Sequence, residues 1–366
     1  MKLTQENLKD LADGAAFLAT GGGGDPYLGR LLAQHAVAEF GMPEVIPASA
    51  LGDDDAVFTS AMFGAPTVLV EKVASGEDID LSIRRLAEVV GRQPVAIAPI
   101  EIGGINSMVP IAAAARLGLP LVDCDGMGRA FPEIQMVTFN VYGVPATPAV
   151  VVDEHLETVI IETHDAKRAE NLARSAAVQM GLSCMISCYP LTGRQVKDFG
   201  VHDTLSIALG IGEARRKGAR QGDPIEAMLA YLRETRYYNH TKVLFDGKIT
   251  DLRRETKGGY TIGHCEIAAL DGSADTFHLV FQNENLVARH NGETVAIVPD
   301  LITAVDRETG LAITTEALKY GQRIKVIATS AAPVMRTPEA LAIFGPNAFG
   351  LAEDFVPLEV LNKDIA

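Results

Sequence analysis

Tryptophan is absent and cysteine is scarce: four in 366 residues. Four cysteines cannot staple a chain of this length, and no two stand in the CxxC spacing of a zinc ribbon or a redox site, so a reducing compartment is expected. Basic residues are also in deficit. Lys plus Arg is 32 against 47 Asp plus Glu, a net charge of −15. A chain this acidic repels polyphosphates unless its cations cluster, and the one basic run, Arg215, Arg216, Lys217 and Arg220, has no interleaved aromatics. Nucleic acid is not an expected partner. Long apolar runs are missing too: the uncharged stretches Ile134 to Val152 and Ser175 to Gly193 carry prolines or several polar residues, and neither suits a membrane helix. Lys2, Glu6, Lys9 and Asp10 leave the N-terminus without a signal-peptide core. A cytoplasmic protein without a membrane partner is expected.

What is present is an ordinary globular balance, 48% apolar and 22% charged, over a length that suits two domains. Residues 1–164 alternate apolar runs of strand length (Ala56 to Ser60, Pro94 to Ile100, Leu119 to Val122) with helical stretches near Leu81 to Val90 and Val109 to Leu117. That alternation predicts an α/β domain, a mostly parallel sheet with helices on both faces. Leu8, Leu11, Ala12, Ala15 and Ala19 predict a first helix, and Met136 to Tyr142, Ala149 to Val152 and Thr158 to Ile161 read as edge strands or a hairpin. Residues 165–366 change character: helices from Ala166 to Met180, Asp203 to Lys217 and Asp223 to Glu234 come first, occupying 165–239. A β-rich stretch over 240–330 follows, with hairpin signals at Asp246-Gly247 and Asn291-Gly292, predicting a small barrel or sandwich of six to eight strands. The Pro- and Gly-rich tail from Pro333 reads as a strap.

Two motifs carry chemistry. The tetraglycine Gly21 to Gly24, followed by Asp25 and Pro26, has two readings: a cradle in which the N–H groups of Gly22, Gly23 and Gly24 meet an anion at a helix N-terminus, or a turn with Asp25 as its N-cap. No Lys-Ser/Thr pair follows, so it is not a Walker loop, and a helix rather than a strand precedes it, which argues against a Rossmann fingerprint. The second motif is acidic. Glu101 follows one predicted strand, Asp123 and Asp125 follow another, and ligands of open parallel sheets bind at such carboxyl ends. Extended backbone puts Asp123 and Asp125 on one side, roughly 7 Å apart, a spacing that suits a divalent cation of undetermined identity held with Glu101. The other reading has them capping a helix or pairing with Arg129. Cys184 and Cys188 read as core filler, and Cys124, between two aspartates, as a poor thiolate. The histidines show no HxH or HExxH pattern, and no GxSxG elbow marks a serine hydrolase.

The blocks Ala19-Thr20-Gly21-Gly22-Gly23-Gly24-Asp25-Pro26 and Asp123-Cys124-Asp125-Gly126-Met127-Gly128-Arg129-Ala130-Phe131-Pro132-Glu133 resemble the signatures of the S-methyl-thiohydantoin desulfurase family. Pro190-Leu191-Thr192-Gly193, Thr204-Leu205-Ser206, Gln282-Asn283-Glu284-Asn285-Leu286, Val298-Pro299-Asp300-Leu301-Ile302 and Gly345-Pro346-Asn347-Ala348-Phe349-Gly350 agree. The resemblance implies an N-terminal α/β domain, a C-terminal part with a barrel-like module, and work on hydantoins or thiohydantoins. Combined with the residues, it leads to an expected hydrolase of a small cyclic ureide or thioureide. Asp25, Asp125 and Arg129 are its expected catalytic residues, Gly22, Gly23, Gly24 and Asn106 bind substrate, and Asp123, Asp125 and Glu101 hold the metal. The alternative is a non-catalytic accessory protein that binds small anions. A homo-oligomer is expected in either case.

Overall fold

The computed structural model describes residues 2–363 except 66–67, 69–71, 73–75 and 258–259. Helix α1 (Leu8–Leu18) buries the predicted stripe, and α2 (Pro26–Phe40) starts at Pro26 after the Asp25 cap. The first sheet is then laid down by β1 (Val45–Pro47), β2 (Ala56–Gly64), α3 (Glu77–Val90), β3 (Ala96–Pro99), α4 (Val109–Leu117) and β4 (Leu121–Asp125). Its parallel half runs β1-β4-β3-β2. Right-handed crossovers through helices favour such neighbours. A short helix α5 (Thr138–Val141), the edge hairpin of β5 (Ala149–Val152) and β6 (Thr158–Ile161), and α6 (Ala166–Gln179) come next. The strand β7 (Ser183–Ser187) inserts antiparallel between β2 and β5, so a segment from beyond residue 165 completes this sheet. The two-residue strands β8 (Leu191–Thr192) and β9 (Val201–His202), separated by α7 (Gly193–Phe199), add to β2 and β4.

Helices α8 (Thr204–Gln221) and α9 (Pro224–Arg233) follow as a packed pair, with α8 also lying along α1. The remaining strands are β10 (Thr241–Lys257), β11 (Tyr260–Ala269), β12 (Thr276–Gln282), β13 (Glu284–His290), β14 (Glu293–Ile297), β15 (Leu301–Asp306) and β16 (Arg323–Thr329). They form one antiparallel sheet in the order β14-β13-β12-β11-β10-β16-β15, curled until β13 and β14 lie against β15. Phe245, Phe277, Leu279, Phe281, Ile324 and Val326 fill this half-barrel. In the tail, α10 (Pro338–Phe344) stacks Phe344 on Phe131 with ring centroids 4.9 Å apart, and α11 (Leu358–Leu361) adds Leu358 to the barrel core.

The expected fold class is the one observed: a parallel-rich sheet with helices, then a helical pair and a small β-module. Two local expectations fail. Met136 to Tyr142 is not a strand; Thr138 N–H bonds Gly126 O at 2.7 Å and Phe139 is buried against that turn, which folds the segment into α5. Asp246-Gly247 is not a hairpin but lies inside β10, where Gly247 pairs with Ala269 on one side and Ile324 on the other. A Cβ there would stand 2.5 Å from Ile267 Cγ2, so the glycine serves close strand packing. Asn291-Gly292, both at positive φ (51° and 86°), does turn the hairpin between β13 and β14.

Candidate active site

A cleft opens at the carboxyl ends of β2, β3 and β4, where the half-barrel leans over them. Its walls include Ala61 to Gly64, Ile100, Glu101, Asn106, Phe131 to Ile134, Arg174 and Cys188 from the first sheet and its helices, and Asn283 from the turn between β12 and β13 with Glu284 at the start of β13. About 100 Å³ of it is open to the centres of water-sized molecules, room for a small ring rather than a polymer. Gly23 is where the glycine loop reaches it.

Two carboxyl groups dominate the interior. Glu101 is 6% exposed and Glu284 2% exposed. Asn106 positions the first: its Oδ1 accepts the Met62 N–H (2.7 Å), and its Nδ2 donates to Met62 O (3.2 Å) and to Glu101 Oε1 (2.7 Å). Glu284 sits on the glycine loop, where a Cβ on Gly22 would lie 1.9 Å from its Oε1. Neither Glu101 Oε2 nor Glu284 Oε2 has a hydrogen-bond partner. Burial pushes Glu101 up to about 8, against the Asn106 bond and the nearby Phe131 N–H, and the charge of Asp125 adds to the rise. Burial likewise pushes Glu284 up to about 8, with Glu101 adding to it and Arg129 opposing it. Carboxyl groups that resist ionisation and still lack partners are poised to exchange protons with whatever enters.

The expected site residues divide between cleft and framework. Gly23, Asn106 and Glu101 line the cleft. Asp123 is not among the residues of the cleft wall: its Oδ1 accepts from Leu205 N–H (2.9 Å) and Ser206 N–H (3.2 Å) and its Oδ2 from the Ser206 hydroxyl, which makes it the cap of α8. Asp125 is fully buried, with Oδ2 taking the N–H groups of Ile102 (2.9 Å), Met127 (3.0 Å) and Gly128 (2.8 Å). It is pushed up to about 7 by burial, against those bonds and the nearby Thr204 hydroxyl, and its Oδ1 has no hydrogen-bond partner. Among the described residues no three His, Cys, Asp or Glu are arranged to hold a metal ion. Arg129, also fully buried, directs all five of its N–H donors at protein oxygens: Nε to Ala130 O, Nη1 to Pro299 O and Asp300 O, Nη2 to Thr20 Oγ1 and Asn285 O. Asp25 caps α2 by accepting the Tyr27 N–H at 2.8 Å, on the surface and outside the cleft. The glycine loop turns its carbonyls to its neighbours: Thr20 O accepts from Asn285, Gly21 O from Thr315 and Gly23 O from Ile105, each at 2.8 Å. Gly24 (φ 71°) completes the turn into Asp25.

Glu284 has no place among the expected site residues, although it lies in the block Gln282 to Leu286. An acid between two asparagines, at the junction of two alternating β runs, was its only sequence signal. Cys188, expected as filler, lies on the cleft wall; burial pushes its thiol up to about 12.

The sequence profile of the S-Me-THD-like N-terminal domain matches residues 6–163, and that of the S-Me-THD-like C-terminal domain matches residues 164–358. The chain belongs to this family. It is the family of S-methyl-thiohydantoin desulfurase that the two signature blocks resemble. Both blocks fall within the N-terminal match, whereas Glu284 falls within the C-terminal one, so the cleft is built by both matched regions. Among solved structures, the crystal structure of a protein from Chromobacterium violaceum is similar at 25% identity and a TM-score of 0.80, covering 97% of this chain and 99% of its own. No protein with a curated description matches. No described helix is long and apolar enough to cross a membrane.

Proposed function

We propose that the cleft hydrolyses a five-membered cyclic ureide or its sulfur analogue, replacing a sulfur substituent at C2 of a thiohydantoin-like ring by oxygen. Membership of the S-Me-THD-like family supports a substrate ring of this class. The observation that carries the chemistry is the pair Glu101 and Glu284, two buried carboxyl groups on facing walls, each with an unpartnered oxygen and each pushed up to about 8. C2 of such a ring is a weak electrophile, so water needs a base and the departing sulfur needs an acid. In the state with one proton on the pair, the ionised glutamate takes a proton from water as the oxygen bonds to C2. The protonated one delivers its proton to sulfur as the C2–S bond breaks. A thiol leaves, the proton remaining on the new C2 hydroxyl moves to the ring nitrogen that lacked one so that a carbonyl remains, and the pair ends with the one proton it began with; no redox partner is needed. The Gly23 N–H, free of protein acceptors among the described residues, stands beside the cleft as a donor for a ring oxygen.

The test is to incubate the purified protein with S-alkyl-thiohydantoins, thiohydantoins and hydantoins in ¹⁸O-water, following thiol release and label in the ring product. Thiol release with one ¹⁸O per product is expected, and Glu101→Gln and Glu284→Gln should each lose at least about 100-fold in rate. Binding of the rings without any product would instead favour the accessory-protein reading.

A further inference from the structure

Among the described residues that line the cleft, Arg174 is the one cation. It stands on α6 four residues after Glu170, the spacing at which a glutamate and an arginine meet on one helix face. Glu170 is fully buried; its Oε2 accepts the Ile134 N–H (3.0 Å), and its Oε1 takes Arg174 Nε (2.7 Å) and Nη2. Nη2 also donates to Pro132 O at 3.3 Å. Two rings lie against the same guanidinium, that of Phe63 with its centroid at 5.3 Å and that of Tyr260 at 4.9 Å. One edge of the group is thus fixed by hydrogen bonds and its position by aromatic contact. Nη1 is left over: its two N–H groups meet no acceptor among the described residues, and the side chain keeps 23% of its surface open.

The anion on this wall does not take those donors. Glu133 accepts the Tyr260 hydroxyl on Oε1 and Lys167 and Gln135 on Oε2, so its carboxylate is already answered, with Lys167 as its counter-ion. A fixed guanidinium with spare donors in its plane suits a carboxylate better than any neutral group. Its place in the cleft says which carboxylate. Met62 bonds the Asn106 amide that holds Glu101, and Phe63, the next residue of β2, carries Arg174 on its ring. In a five-membered ureide C4 and C5 lie across the ring from C2, and C5 is the carbon that bears a side chain. A ring with C2 against Glu101 and Glu284 therefore sends its C5 arm away from them, toward the wall beyond.

We propose that Arg174 is a carboxylate subsite, and that the rings this cleft takes carry a short C5 arm ending in a carboxylate. The inference rests on the reading of the cleft as a site for such rings, so binding and turnover are measured separately. Calorimetric titration of the full chain at pH 7 compares hydantoin-5-acetic acid with hydantoin-5-acetamide, which has nearly the same shape and no charge. The acid should bind about tenfold more tightly. Arg174→Gln should bring that ratio close to one, and Arg174→Lys, which keeps the charge, should retain part of it; melting curves establish that each variant is folded. Loss of the ion pair with Glu170 alone would weaken both ligands together and leave the ratio intact. Equal affinities for acid and amide in the wild-type protein would overturn the subsite whether or not the variants fold, as would a preference that persists in folded Arg174→Gln. Binding of neither ring would overturn it too. Thiol release from the S-methyl-thiohydantoin counterparts of both rings is then followed in the wild-type protein. Preferential binding of the acid without thiol release leaves the subsite standing and removes the desulfurisation reading; thiol release with no preference between acid and amide does the reverse.

Discussion

Glu101 and Glu284 are expensive residues to bury, and their cost depends on pH in a defined direction. Both are pushed up to about 8 by burial from an ordinary carboxyl value near 4.5. Between those values the unfolded chain has lost the protons that the folded protein keeps, so native stability falls as pH rises through this window and is fullest below it. Glu284→Gln should therefore melt higher than wild type at pH 8, by on the order of 1–3 kcal/mol, and close to wild type at pH 4.5. Thermal melts of both proteins across that range check this; a gain independent of pH would mean that the carboxyl is not strained by burial. The glycine loop makes a second residue-scale prediction. A methyl group on Gly22 would press on Glu284, whereas one on Gly23 would meet the Gly103 and Gly104 backbone at 2.9 and 3.0 Å while the residue sits at φ 72°. Gly22→Ala should lose rate by more than about tenfold with a modest change in melting, and Gly23→Ala should lose more than ~1 kcal/mol of stability. Steady-state kinetics and denaturant titrations of the pair separate the two effects.

At the scale of elements, the acidic strand end works mainly as an organiser. Asp123 holds the first N–H groups of α8 and the Ser206 hydroxyl, and Asp125 gathers the turn that follows β4. Asp123→Ala should cost about 1–2 kcal/mol through the lost cap, and Asp123→Asn, which keeps an acceptor oxygen, should cost less. Turnover per folded molecule should stay within about threefold of wild type in both, because Asp123 lies off the cleft wall. Chemical denaturation with activity normalised to folded protein is the measurement. A complete loss of turnover in a folded Asp123→Asn variant would return this carboxylate to the chemistry.

At the scale of the whole molecule, Arg129 is the clasp. Its guanidinium joins the loop after β4 to Thr20 of the glycine loop, to Asn285 of the half-barrel and to the Pro299-Asp300 segment before β15, and it lies over the Phe131 ring. Lysine has three donors in a different geometry and would leave buried carbonyls unpaired. Arg129→Lys should lose at least ~3 kcal/mol, with the half-barrel loosening from the first sheet. Calorimetry should then show a lower or split transition, with hydrogen exchange rising at Asn285 and Thr20 before the sheet interiors.

The α/β alternation, the starts of α2, α8 and α9, the edge hairpin of β5 and β6 and the Asn291-Gly292 turn were all legible in the sequence, because each is set by local periodicity or by one backbone preference. That Glu101 would stand at the mouth of the sheet was legible because it follows a parallel strand, where such folds bind ligands; that Asn106 and Gly23 line the same cleft is a matter of tertiary packing. Other assignments needed the tertiary structure. No local pattern tells a strand-interior glycine such as Gly247 from a turn, and none tells a capping carboxylate such as Asp123 from a ligating one; in each case the deciding neighbour lies far along the chain. Glu284 is about 180 residues from Glu101 in sequence and becomes its partner only when the half-barrel closes over the sheet. Each of the two is raised first by burial, Glu284 also by the charge of Glu101, and burial and distance through space are both properties of the packed molecule.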